Sequence, residues 1–111
     1  MSMLNNLNSF SDINYEAVIN TNATTPVTTR NSYVTSITLL VTAGGTSSSI
    51  TIEDGQTTPQ VLVDALATTA VGTTPTILSF GEQGILFTNG IKIVTNGTAA
   101  ATVSVWIQGY Y

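Results

Sequence analysis

The chain has 111 residues, of which 7% are charged, a formal net charge of −4, and neither His nor Cys. Those counts exclude Ser–His and Cys–His nucleophiles, structural zinc and iron–sulfur sites and any disulfide scaffold. Two cations, Arg30 and Lys92, stand against six carboxylates, too few for the phosphate contacts that nucleic-acid binding needs. The length fits one domain, and the expectation is a non-enzymatic structural or binding protein without a cofactor.

The polar part of the chain is largely uncharged: Thr occurs 21 times, Ser 10 and Asn 9. Thr is β-branched and fits a half-exposed pleated surface, while Ser and Asn serve turns. Mean hydropathy is +0.30, above the range of disordered chains. The composition predicts an all-β fold. A surface with few charges is also a weak barrier to association, so a homo-oligomer or a subunit of a larger assembly is expected.

The start, Met-Ser-Met-Leu-Asn-Asn, has neither the basic nor the apolar region of a secretory signal. Apolar runs such as Leu39-Leu40-Val41 fall far short of the roughly 20 residues of a membrane span. Residues 1–12 read as an N-terminal arm. Leu4, Leu7 and Phe10 recur at a spacing of three, and they point to docking on a neighbouring chain; the alternative is a frayed end.

From residue 13 the period is two, and residues 13–111 read as the domain. Residues 13–19 alternate as a first strand. A polar turn cluster spans 20–25, and Pro26 limits the next segment to a short or edge strand. The clearest strand is 33–42, with Tyr33, Thr35, Ile37, Leu39 and Val41 expected to face the core. Gly44-Gly45 then turns the chain into 48–53, and the two strands read as a hairpin. Asp54-Gly55 is expected to be a tight turn. Residues 60–67 fit a helix opened by Pro59 or a strand with Val61, Val63 and Ala65 inward; the Thr-rich surroundings favour the strand. Strands are expected next at 76–80, 85–88, 91–95 and 102–108. Asn89-Gly90 and Asn96-Gly97 are hairpin-type turn dipeptides. About eight short strands, each bounded by Gly, Pro or Asn, predict a single antiparallel β-sandwich, jelly-roll-like, with an N-terminal arm. Phe80 and Phe87 are expected in its core.

Several segments of 33–109 carry a family resemblance. They are Ile50-Thr-Ile52-Glu-Asp54-Gly55, Val61-Leu62-Val63, Thr76–Phe80, Gly84–Ile91 with its Leu-Phe-Thr-Asn-Gly-Ile element, and Ala101–Val105. In these the chain resembles small β-sandwich virion proteins of tailed bacteriophages, of the capsid decoration or cement type. The resemblance implies a subunit made in the host cytoplasm and placed on the capsid surface. It would be a homo-oligomer, with a trimer favoured, that binds the major capsid protein or other virion proteins and neither nucleic acid nor membrane. The alternative is a neck, tail or fibre module that binds host glycans or other virion proteins.

The candidate contact residues are Leu4, Leu7 and Phe10 of the arm together with Trp106, Tyr110 and Tyr111. Alternation places Trp106 on the outer face of the last strand, where an interface, cover from the same subunit and a stacked sugar ring are the open readings. Glu53-Asp54-Gly55 offers two carboxylates without the spacing of a calcium loop, and a plain β-turn is the simpler reading. Asp64, if inward, would need Arg30 or Lys92 as a partner.

Overall fold

The computed structural model describes residues 12–19, 22–72, 74–99 and 101–111. Its strands are β1 (Asp12–Ile19), β2 (Ala23–Thr28), β3 (Ser32–Ala43), β4 (Ser49–Asp54), β5 (Val61–Ala67), β6 (Thr76–Ser79), β7 (Ile85–Phe87), β8 (Ile91–Asn96) and β9 (Thr102–Tyr110). One sheet has the order β1-β9-β3-β6, with β7 also on β3, and the other has the order β2-β8-β4-β5. Every pairing is antiparallel. β6 pairs with Ser36–Leu39 and β7 with Ser32–Val34, so together they act as one interrupted strand along β3.

Counted that way, the pairs are β1 with β9, β2 with β8, β3 with β6/β7, and β4 with β5. The chain is one long hairpin whose tip is the β4–β5 connection, rolled so that successive pairs alternate between the two sheets. This is the jelly-roll arrangement, and the all-β sandwich expected from the sequence is the fold observed.

The core lies between the sheets and is built by alternation. β3 contributes Ile37 and Leu39, and β9 contributes Val103, Val105 and Ile107. β4 and β8 bring Ile50, Ile52, Ile91 and Ile93 from the other side. β-Branched residues suit this setting because their stiff side chains pack on a pleated surface with little loss of rotamer freedom. Phe87 is buried with them, and Phe80 packs against them from the rim.

The face of β3 switches partway along. Val34 is fully buried and Tyr33 is 39% exposed, the reverse of the expected pattern. Between Val34 and Ser36 the register against β9 shifts, from Val34↔Gly109 to Ser36↔Gln108. Thr35 is the extra residue of a β-bulge, and one extra residue inverts the alternation on one side of it. Gly109 permits the close approach, since a Cβ there would collide with the Tyr33 carbonyl oxygen.

A second bulge corrects β5. Ile52 pairs with Val63 but Ile50 pairs with Leu66, and Ala65 sits at a φ of 48°. Val63 is buried as expected, while Val61 and Ala65 face solvent. At the opposite edge of this sheet β2 begins at Ala23, inside the polar cluster read as a turn. Pro26 lies within it, at an edge where its missing N–H is tolerated.

The expected hairpins at three turns do not form. β3 and β4 belong to different sheets, as do β7 and β8 across Asn89-Gly90, and β8 and β9 across Asn96-Gly97. Asn89 and Gly90 do adopt the positive φ values, 62° and 114°, that the dipeptide signals. A turn dipeptide encodes local backbone angles and leaves open which strand the chain pairs with next. The tight turn expected at Asp54-Gly55 is a longer loop, with β5 starting at Val61.

Candidate protein-interaction face

β9 lies second in its sheet, with β1 on one side and β3 on the other. Its outward residues are Ser104, Trp106, Gln108 and Tyr110. Trp106 stands opposite Glu16 of β1 and Thr38 of β3, and Ser104 stands opposite Val18 and Leu40. Ile77 extends the Trp106 row beyond Thr38, and Leu86 lies opposite Tyr33. Val18, Tyr33, Ile77 and Leu86 are 58%, 39%, 67% and 42% exposed, so most of the large exposed apolar side chains of the described residues share this face.

The face is also poor in charge. Among the described side chains of these strands it carries one charged group, Glu16. The outer face of the other sheet differs, because Lys92 Nζ lies 3.5 Å from Glu53 Oε1 there. Trp106 is half-buried at the centre of this charge-poor face, among Thr38, Ser104, Ser36 and Gln108, with Glu16 beside it on β1. An aromatic centre in a mostly uncharged polar surround is the distribution found at protein-binding hot spots.

The three C-terminal aromatics separate in space. Trp106 and Tyr110 share the outer face of β9, and Tyr111 lies past its end. The Tyr110 ring stacks on Tyr33 at 5.2 Å between centroids and 18° between planes. Its hydroxyl donates to the Gln83 carbonyl at 2.8 Å. Tyr111 packs against the core, with the Arg30 guanidinium 3.9 Å above its ring. Tyr110 and Tyr111 are therefore engaged within the subunit, whereas Trp106 sits in the open field. Leu4, Leu7 and Phe10 lie outside the described residues.

Beside Tyr110 the Thr35 bulge opens a cleft of about 360 Å³, lined by Asn14, Glu82, Gln108 and Tyr110 among others. Thr35 Oγ1 donates to the Gln108 carbonyl at 3.1 Å. Sequence alternation misses Tyr33 as a surface aromatic because the bulge, which reverses its direction, leaves no mark on the residues of β3 itself.

The Glu53–Asp54 pair is split by the strand. Glu53 faces outward to Lys92, while Asp54 is buried at 1% exposure. Asp54 Oδ1 accepts from the Gln60 N–H at 2.9 Å and the Gln56 N–H at 3.2 Å, and Oδ2 accepts from Gln56 Nε2 at 2.6 Å. Burial disfavours its charge, but the hydrogen bonds from Gln56 and Gln60 outweigh that penalty and hold the carboxyl below its ordinary value. Its role is to organise the β4–β5 loop. Asp64 is exposed. Among the described residues no three acidic groups gather as a metal site would require.

The arrangement is a candidate contact surface. Compared with known proteins, the sequence matches no family model and no curated protein.

Proposed function

We propose that the chain is a non-enzymatic virion structural protein, a decoration or cement subunit that stabilises a phage head through many weak protein contacts. The observation that carries this reading is the outer face of the β1-β9-β3-β6 sheet, which is centred on Trp106 and among the described side chains of its strands carries one charge, Glu16. A face of this kind meets a protein surface with few charges to desolvate, whose burial is costly. Repetition over a particle turns modest single-site affinity into durable attachment. The sequence resemblance and the lack of His and Cys agree with a mechanical role. In this reading the partners are the major capsid protein and sister copies, and the location is the capsid surface.

The test is the copy number of the chain in purified particles together with a Trp106→Ala variant. Hundreds of copies per particle support decoration, whereas a dozen or fewer would assign the chain to the neck or tail. Absence from particles would overturn the reading. Truncating a hot-spot Trp costs about 2 kcal/mol or more, roughly a 30-fold loss of affinity. Trp106→Ala should therefore fall off the particle while keeping its circular dichroism spectrum.

A further inference from the structure

A β-sandwich has four sheet edges, and three of them here are blocked. β2 carries Pro26 and a register shift at Pro26/Thr28. β5 is bent by the bulge at Ala65, whose φ is 48°. The edge formed by β6 and β7 is broken into strands of 4 and 3 residues. Pro, bulges, short strands and charged side chains are devices by which proteins discourage an edge from pairing.

The fourth edge, β1, has only the last of these, in Asp12 and Glu16. It runs for 8 residues, Asp12–Ile19, without Pro or Gly and without a register shift against β9. Among the described residues nothing pairs with its outer side. Its inward residues Tyr15 and Ala17 are only partly buried against the core, and its outward Val18 is 58% exposed. An unblocked edge with apolar side chains on both faces is a template for another strand.

We infer that β1 pairs antiparallel with β1 of a second copy of this chain, joining the two Trp106-bearing sheets into one continuous eight-stranded sheet across a twofold axis. Self-pairing is favoured because the other edges of a sister copy are blocked and because a twofold operation lays like faces together. Registers that keep inward residues opposite inward residues centre on Tyr15, Glu16 or Ala17. Centring on Glu16 sets two carboxylates directly opposite each other, which is unfavourable. Centring on Ala17 pairs only residues 15–19 within the strand. Centring on Tyr15 pairs residues 12–18, with Ile13 opposite Ala17 and the Asn14 amide opposite Glu16. The pairing is twofold, so an assembly that contains it has dimeric or dihedral symmetry rather than that of a bare ring of three.

The test uses the full chain. In sedimentation equilibrium the 11.6 kDa chain is expected at twice that mass or an even multiple of it. The sequence lacks Cys, so Tyr15→Cys introduces a single thiol. Directly opposed antiparallel residues have Cα atoms about 4.5–5.5 Å apart, within disulfide range. Mild oxidation should link this variant into covalent dimers, and Thr57→Cys in the β4–β5 loop should form none under the same treatment. Glu16→Pro and Ala17→Pro complete the test, because neighbouring amides of a strand point to opposite sides. One proline removes a bond to β9, and the other removes only a group on the free edge. The variant that keeps its circular dichroism spectrum should dissociate at least tenfold more readily. A full chain that stays monomeric at about 1 mM overturns the inference, as does an oligomer in which Tyr15→Cys fails to cross-link or the folded proline variant assembles at full strength.

Discussion

Replacing Asp54 by Ala removes three hydrogen bonds from one buried carboxylate, those from Gln56 N–H, Gln56 Nε2 and Gln60 N–H. Bonds to a charged acceptor are worth about 1.5–3 kcal/mol each. Gln60 is exposed, so water replaces part of its bond, and Gln56 is half-buried. The net loss is then about 2–4 kcal/mol. For a domain of this size that lowers Tm by roughly 10–20 °C. Asp54→Asn keeps an acceptor but not the charge, and should lose about half as much. Because the folded carboxyl lies below its ordinary value, its contribution is complete above the unfolded pKa of ~3.9 and disappears as pH falls through the folded value. Thermal melts of the parent and Asp54→Asn from pH 7 to pH 2 read this directly. The gap in Tm should be widest near neutrality and should close in acid, where the protonated Asp carries no charge either. A gap of equal size at pH 7 and pH 2 would refute the charge-based account. An Asp54→Ala variant that melts within a degree or two of the parent would refute the role of the carboxylate altogether.

Gly90→Val should destabilise by about 3 kcal/mol or more, measured by urea unfolding, because it adds strain at a φ of 114° to a collision between Cβ and the Thr28 carbonyl oxygen. Parent-like stability would contradict the position of that turn. Chelation with EDTA should leave Tm unchanged in differential scanning calorimetry; a fall of several degrees reversed by Ca²⁺ would place a metal at Glu53–Asp54. Deleting residues 1–11 should preserve the far-ultraviolet circular dichroism of the domain and weaken particle attachment tenfold or more. An unfolded product would assign Leu4, Leu7 and Phe10 to the domain's own core.

Much of the fold is legible because alternation is a local signal. Ile50 and Ile52, Ile91 and Ile93, and Val103, Val105 and Ile107 all face inward where period two places them. Trp106 lies on the outer face for the same reason. What alternation cannot carry is pairing. Asn89-Gly90 encodes the positive φ of a turn, yet the chain leaves that turn into the opposite sheet, and Gly44-Gly45 hides a similar crossing. Bulges are illegible for a related reason. Thr35 is as good a strand residue as any neighbour, and its status as an extra residue depends on Gly109, more than 70 positions away. That single insertion turns Tyr33 from an expected core residue into one of the surface aromatics. Asp54 shows the converse case, where a pair of adjacent carboxylates looks like a ligand set until the strand sends one inward and one outward.

The nesting of strand pairs dictates the order in which this protein can become finished during synthesis. Glu53 pairs with Val61, only a short loop away, whereas Asp12 waits for Tyr110. On a ribosome, β1, β2 and β3 must emerge long before β9, β8 and β6/β7 exist to receive them. Domains are made at about 5–20 residues per second, so β1 spends several seconds without its partner. Closing loops of increasing length costs entropy before the contacts reward it, which favours zippering outward from the β4–β5 loop. The sparse charge that suits a contact face offers little protection in that interval, when unpaired Thr- and Ile-rich strands from neighbouring nascent chains can find one another. Expression yield should therefore respond more sharply to translation speed and temperature than the stability of the finished domain would suggest.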